Sequence, residues 1–175
     1  INITFSPNGK QVFAVSRGGT LVMWDTNTGQ AVYTRSGLFD SATRVKASQL
    51  NTSLVCSPDG KTFALLRGPQ RLILCDATTG QTNRRQTLKD FSLQCLAFSP
   101  DGQRIVGAGR KRLAIWDAAT GKEIIRTSES TRLFKRVVFS PNGQTIGTGS
   151  VNGTVKVWDA NTGQELYTLH EEDRE

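Results

Sequence analysis

Short runs of β-branched and aromatic residues, separated by clusters of turn residues, recur along the whole chain. In the last quarter, Thr154–Trp158 and Glu165–Leu169 alternate strictly between apolar and polar positions. Arg136–Phe139 is apolar on both sides, and Thr145–Ser150 combines small residues with β-branched ones. Runs of this length and composition predict strands rather than helices. This part of the chain therefore forms a unit of four strands.

The same unit occurs four times. The tetrad Ser-Pro-(Asn/Asp)-Gly is found at Ser6–Gly9, Ser57–Gly60, Ser99–Gly102 and Ser140–Gly143, with its first serines 51, 42 and 41 residues apart. Each tetrad is followed by Trp-Asp, or by Cys-Asp in the second unit, and then by Thr-Gly. Self-similarity at this period, with four short strands per repeat, predicts the blades of a β-propeller.

The turn residues explain how each unit folds. Pro in the tetrad fixes φ, and Gly accepts the left-handed exit of a turn between the first two strands. Asp-x-x-Thr-Gly closes a longer hairpin loop between the last two strands. We therefore expect an all-β fold, a β-propeller built of four-stranded antiparallel blades, with inner, second, third and outer strands. Trp24, Trp116, Trp158 and, in the second unit, Cys75 should occupy equivalent buried positions on the third strands.

The predicted boundaries follow the repeats. They are 1–35 for blade 1, 36–53 for a connection that carries an insertion of about nine residues, 54–88 for blade 2, 89–131 for blade 3, 132–170 for blade 4 and 171–175 for an acidic tail.

The repeated segments FSPNGK…LVMWDTNTGQ, CSPDGK…LILCDATTGQ, FSPDGQ…LAIWDAATGK and FSPNGQ…VKVWDANTGQ resemble the WD40 repeats of bacterial proteins. The resemblance implies a toroidal propeller, usually of seven or eight blades, that acts as a non-catalytic platform for binding proteins. The Gly-His dipeptide of that family is absent, and the one histidine, His170, lies about two residues too early. The family's Asp–His–Ser/Thr–Trp network therefore cannot form, and each Trp indole N–H needs another partner.

Four blades leave three interpretations open. The chain is a fragment of a longer propeller, a half-ring that self-associates (most simply two copies giving eight blades), or a ring of four blades. Since the sequence begins at Ile1 without Met, we expect residues upstream. We also expect a cytoplasmic protein without a membrane span, because no apolar run approaches the required length.

The net charge is +7, and most of the 22 basic residues fall in second–third turns and in connections between blades. We call the end of the blades that carries these segments the top. A basic top attracts acidic proteins or peptides; the alternative partner is nucleic acid or another polyanion. The insertion near Ser36–Asn51 lies at the same end, where long loops are often functional. The candidate partner-binding residues are Arg17, Arg44, Lys46, Arg67, Arg71, Arg84, Arg85, Arg110, Lys111, Arg112, Arg132, Lys135 and Arg136.

Three phenylalanines, Phe39, Phe91 and Phe134, lie among these cations. Such a combination can bind single-stranded nucleic acid, but we expect the rings to fill space under the blade connections. No nucleophile constellation, phosphate loop or metal-ligand spacing is present, so we expect neither catalysis nor a cofactor. The three cysteines are expected to be buried hydrophobic residues.

Overall fold

The computed structural model of the chain describes residues 1–16, 18–39, 52–68, 70–88, 91–110, 112–127 and 133–169. Within these ranges the regular elements are strands only, arranged in four antiparallel sheets of four strands each. None of the described segments forms a helix of the length and apolarity that a membrane crossing requires. The chain divides into two compact units, Ile1–Asp90 and Phe91–Glu175, and each contains two blades.

In the first unit, the strands follow one another in each sheet as a simple meander. Blade 1 consists of β1 (Asn2–Phe5), β2 (Gln11–Val15), β3 (Leu21–Asp25) and β4 (Ala31–Arg35). Blade 2 consists of β5 (Thr52–Cys56), β6 (Thr62–Arg67), β7 (Arg71–Asp76) and β8 (Thr82–Thr87).

One apolar layer joins blades 1 and 2, because alternate side chains of each strand point to the same face. Phe13 and Met23 of blade 1 pack with Phe63, Leu65 and Cys75 of blade 2, and all five are almost completely buried. The rings of Phe13 and Phe63 lie 5.7 Å apart. We call the face of blade 1 that contacts blade 2 its forward face, and the contacting face of blade 2 its rear face.

The second unit repeats this arrangement. Blade 3 consists of β9 (Leu93–Phe98), β10 (Arg104–Gly109), β11 (Leu113–Asp117) and β12 (Glu123–Arg126). Blade 4 consists of β13 (Phe134–Phe139), β14 (Thr145–Ser150), β15 (Val155–Asp159) and β16 (Glu165–Leu169). Val106 and Ile115 on the forward face of blade 3 pack with Ile146, Trp158 and Phe134 of the rear side of blade 4.

The repeated turns form in the predicted way. In blade 2, the Ser57 hydroxyl donates to Asp59 Oδ1 at 2.6 Å, and the same carboxylate oxygen accepts the Lys61 backbone N–H. Gly60 leaves the turn at φ +72°, in the left-handed region that favours glycine. In the following hairpin loop, Asp76 Oδ1 accepts the backbone N–H groups of two residues of the loop. These local hydrogen bonds give the four units a common shape despite their differing cores.

The predicted equivalence of the third-strand positions is confirmed by the strand register. Trp24, Cys75, Trp116 and Trp158 each stand immediately after an irregularity in the pairing with the outer strand. The prediction that all four are buried is wrong for Trp24, which is only half-buried. Trp24 lies on the face of blade 1 that is directed away from blade 2. The Trp-Asp motif places the side chain on this face, but its burial depends on whether another blade covers the face.

Candidate partner-binding surfaces

The contact between blades 1 and 2 is held by an outer strand that reaches the hairpin loop of the next blade. Tyr33 in β4 donates its hydroxyl to the Ala77 carbonyl oxygen at 3.0 Å. Neighbouring Arg35 donates from Nε to the Thr79 carbonyl oxygen, also at 3.0 Å. The Tyr33 ring lies so close to Gly80 that a Cβ there would come within 2.6 Å of Tyr33 Cε2. Gly80 therefore acts as the socket for Tyr33.

The second unit uses the same geometry with different side chains. Ile125 in β12 occupies the register position of Tyr33, because it pairs with Ile115 as Tyr33 pairs with Met23. A Cβ on Gly163 in the loop of blade 4 would lie 2.5 Å from Ile125 Cγ2. In both blade contacts, a residue of the outer strand therefore packs on the glycine of the Thr-Gly pair in the next blade.

Blade 1 has an exposed rear face. Ile3, Val12 and Trp24 lie on this face with Phe5 and Val22, because residues paired across the strands share a side of the sheet. Ile3 is 65% exposed and Phe5 60% exposed. Large contiguous apolar surfaces of this kind mark sites of interaction.

Blade 4 has an exposed forward face of a different texture. Val138, Gly147, Val157 and Tyr167 form one cross-strand row on it. Gly149 in β14 adds a second position without a side chain. Val138 is 60% and Tyr167 64% exposed. The centre of this face is therefore recessed where the two glycines lie, and exposed apolar side chains flank the recess.

A basic pocket lies in the first unit. Arg67 and Arg71 are directly paired across β6 and β7, and Arg85 on β8 is paired with Ile73. The three arginines lie on the same side of the sheet and, together with Phe39, are among the residues that line a pocket of about 160 Å³. Arg67 lies 4.0 Å from the centre of the Phe39 ring. The pocket therefore lies where the basic side chains of blade 2 are concentrated.

The structure groups only some of the predicted partner-binding residues. Arg84 lies on the opposite side of β8 from Arg85, and both are in the middle of the strand instead of at a blade connection. In the second unit, Arg110 and Arg112 flank the β10–β11 turn, and Lys135 donates from Nζ to Gln94 Oε1 at 3.0 Å beside exposed Arg136. The residues that lie outside the described part of the chain are Arg17, Arg44, Lys46, Lys111 and Arg132, together with most of the insertion near Ser36–Asn51.

Three phenylalanines predicted to fill space near the blade connections are buried: Phe39, Phe91 and Phe134 are 7%, 3% and 1% exposed. Phe134 is the first residue of β13 instead of part of a connection. The guanidinium of Arg126 lies 4.6 Å from the centre of the Phe91 ring. This contact resembles that of Arg67 with Phe39, where the distance is 4.0 Å. These rings support the basic residues of the blades, and their faces are not open for stacking on bases.

The acidic residues of the described turns accept hydrogen bonds from backbone N–H groups. The backbone N–H of Thr28 lowers the pKa of Asp25, and the backbone N–H of Thr79 does the same for Asp76. No group of three or more potential metal ligands occurs among the described residues. Burial raises the pKa of the Cys75 thiol to about 11, which disfavours the reactive thiolate at neutral pH.

Sequence reasoning missed the contact of Tyr33 with Ala77, because the two residues are far apart in the chain and no local pattern links them. It also left the partner of the Trp158 indole open. That partner is Thr148, whose Oγ1 accepts the indole N–H at 2.9 Å. A Thr two residues after the strand position paired with a Trp is a usable signal for such a bond.

The family model of the WD domain, G-beta repeat, matches residues 1–25, 83–117 and 127–159. Each matched segment ends on a Trp-Asp pair: Trp24-Asp25, Trp116-Asp117 and Trp158-Asp159. A search of curated proteins found no significant match. The matched segments make up more than half of the chain and contain the first three strands of blades 1, 3 and 4, so the chain belongs to the WD40 repeat family.

Proposed function

We propose that this protein is a non-catalytic interaction scaffold whose exposed blade faces complete a propeller, by self-association or with further blades. WD40 repeat proteins are generally scaffolds without catalytic activity, and WD40 domains commonly bind proteins. The observation that carries the proposal is the exposure of the rear face of blade 1 and the forward face of blade 4. The opposite face of each of these blades is packed against a neighbour.

The packed and the exposed faces of blade 1 differ in the burial of their apolar side chains. Phe13 and Met23 on the forward face of blade 1 are completely or almost completely buried, whereas Ile3 and Phe5 on the rear face are mostly exposed. Burying one large apolar side chain stabilises a protein by roughly 1.5–3 kcal/mol. Covering the rear face with another blade would therefore recover several such contributions. In repeat proteins, the contacts between neighbouring units supply a substantial part of the stability.

A charge on the forward face of blade 4 tests this proposal. Val138→Asp should prevent packing and shift the chain towards monomer or aggregate, measured by light scattering and by solubility. Val151→Asp is the matched control, because Val151 is equally exposed but lies in the β14–β15 turn. If both variants behave like the wild type, the exposed faces do not bind blades.

We further propose that the basic residues bind an acidic partner, with Arg71 and Arg85 of blade 2 among the residues that contact it. Guanidinium groups bind carboxylates through paired hydrogen bonds. The basic residues around the β10–β11 turn of blade 3 give the second unit a cationic surface as well. The proposed partner is therefore an acidic peptide or an acidic protein surface.

The competing function is binding of nucleic acid or another polyanion. The burial of Phe39 and Phe91 removes the stacking platform on which single-strand binding commonly depends. We therefore favour the acidic protein.

Fluorescence anisotropy with a glutamate-rich peptide and with oligo-dT separates the two functions. At moderate salt, the peptide should bind more tightly than oligo-dT. The double substitution of Arg71→Glu and Arg85→Glu should weaken peptide binding at least tenfold. Lys122→Glu, at an exposed position in the β11–β12 loop of blade 3, should leave the affinity for the peptide within about twofold of wild type. Tighter oligo-dT binding with a steep decrease in affinity as salt rises would favour the polyanion function instead.

A further inference from the structure

The rear face of blade 1 carries an empty socket. Gly29 is the counterpart of Gly80 and Gly163, since each is the glycine of a Thr-Gly pair and each has φ near +70°. Side chains of the preceding blade occupy the space over Gly80 and Gly163. In the described part of the chain, no atom lies within 4 Å of the position of a Cβ on Gly29.

The forward face of blade 4 carries the matching side chain. Tyr167 pairs with Val157 as Tyr33 pairs with Met23, so the two tyrosines occupy equivalent positions on their outer strands. Tyr33 is partly buried against blade 2, whereas Tyr167 is 64% exposed. Tyr167 is therefore suited to pack on a glycine of this kind, and the space over Gly29 is open to receive such a side chain.

The sizes of the facing residues agree with this match. At one register position, blades 1, 3 and 4 carry Phe13, Val106 and Gly147 on their forward faces. Phe13 packs with a rear face that has Cys75 at the tryptophan position, and Val106 packs with one that has Trp158. A smaller forward residue thus accompanies a larger rear residue.

The two exposed faces extend this relation. Blade 4 has the smallest forward residue, Gly147, and a second glycine at Gly149. The rear face of blade 1 has the bulky side chains of Trp24 and Phe5. Close packing requires that facing surfaces fill the space between them without overlap. The rear face of blade 1 therefore suits the forward face of blade 4.

We propose that the forward face of blade 4 packs on the rear face of blade 1 of a second copy of this chain. In this junction, the Tyr167 ring covers Gly29, and its hydroxyl donates to the carbonyl oxygen of Thr26. Thr26 is the counterpart of Ala77, because each follows the aspartate of the Trp-Asp position. In a two-fold symmetric dimer the junction occurs twice. This inference rests on the proposed role of the exposed faces as blade-binding surfaces and names their partner.

Two glycines of blade 1 provide a matched test. Gly9 and Gly29 both have φ +69°, and for neither does an atom of the described residues lie within 4 Å of the position of a Cβ. The contacts between blades predict different outcomes for the two. Gly60 and Gly143, the counterparts of Gly9, would place a Cβ 3.6 and 3.5 Å from a proline of the preceding blade, which is ordinary contact. A Cβ on Gly80 or Gly163, the counterparts of Gly29, would lie only 2.6 or 2.5 Å from a side-chain atom of the preceding blade.

The experiment measures the dissociation constant of the dimer by sedimentation velocity for wild type, Gly29→Ala and Gly9→Ala. Gly29→Ala should raise it about a hundredfold or more, because two junctions are overpacked, whereas Gly9→Ala should change it by less than about threefold. Tyr167→Phe should raise it roughly tenfold to thirtyfold through loss of two hydrogen bonds. At concentrations low enough for both to be monomeric, thermal unfolding of the two alanine variants should match, since both carry the same backbone strain.

Two results would overturn the inference. A folded wild-type chain that sediments at 19.1 kDa at every concentration shows that no second copy binds. Equal dissociation constants for Gly29→Ala and Gly9→Ala, with association still abolished by Val138→Asp, show that the faces bind blades in a different register. In that case the proposed function stands and this junction does not.

Discussion

The hydroxyl of Tyr33 donates a hydrogen bond to the carbonyl oxygen of Ala77, with 3.0 Å between the two oxygens. The two residues belong to different sheets, so this bond connects blade 1 to the hairpin loop of blade 2. Burial raises the pKa of the phenol, which therefore remains a donor throughout the physiological pH range.

Tyr33→Phe should lower the free energy of unfolding by about 1 kcal/mol, because the Ala77 carbonyl loses its donor while the ring remains over Gly80. Urea denaturation followed by circular dichroism measures the change. Tyr33→Ala should cost more, since it also removes the ring from the contact between the blades. Equal stability of Tyr33→Phe and wild type would show that the hydrogen bond contributes nothing.

Thr148 and Trp158 allow a second test within blade 4. Both are buried, and Thr148 Oγ1 accepts the indole N–H at 2.9 Å. Thr148→Val keeps the volume but leaves the indole donor without its acceptor, so it should cost about 1–3 kcal/mol of stability. Thr148→Ser retains the hydroxyl and should cost less. A valine variant as stable as wild type would contradict the assigned role of this bond.

The turns make stability depend on pH in a defined direction. The Ser57 hydroxyl lowers the pKa of Asp59, and the Ser99 hydroxyl lowers that of Asp101. A carboxyl whose pKa is lower in the folded than in the unfolded state stabilises the fold above its unfolded pKa, near 3.9. This stabilisation is lost as the pH falls through the folded value. Unfolding midpoints in urea should therefore decrease from pH 5 to pH 2.

The chain supplies its own control for this prediction. Asn8 accepts the Ser6 hydroxyl at 2.7 Å in the same turn of blade 1, so an amide oxygen fits the geometry. Asp59→Asn with Asp101→Asn should keep the fold at pH 7 and reduce the loss of stability in acid. Acid sensitivity equal to that of wild type would show that other carboxyl groups determine it.

The blades could be predicted from sequence because their turns are local. Ser57, Asp59 and Gly60 form one turn within a few residues, and the tetrad repeats in each unit. The burial of Trp24 could not be predicted from the same motif, since it depends on which blade covers the rear face. The contact between Tyr33 and Ala77 likewise joins a strand of one sheet to the hairpin loop of another, 44 residues away along the chain.

The basic surface was predictable only in part. The abundance of arginine and its concentration in turns are visible in the sequence. The side of the sheet on which each arginine lies is set by strand register, which brings Arg85 into the pocket with Arg67 and Arg71 and places Arg84 on the opposite side. Shifting a strand by one residue would exchange these two positions.

The most direct test of the central claim uses the one half-buried tryptophan of the chain. If the rear face of blade 1 is the surface covered in the dimer, Trp24 changes its environment on association, whereas Trp116 and Trp158 are buried in each copy already. Fluorine NMR of 5-fluorotryptophan-labelled protein over a dilution series resolves the three residues, with Trp24→Phe assigning the signal. The Trp24 signal alone should shift with concentration. Three signals that stay unchanged at every concentration would show that the rear face of blade 1 binds no second copy.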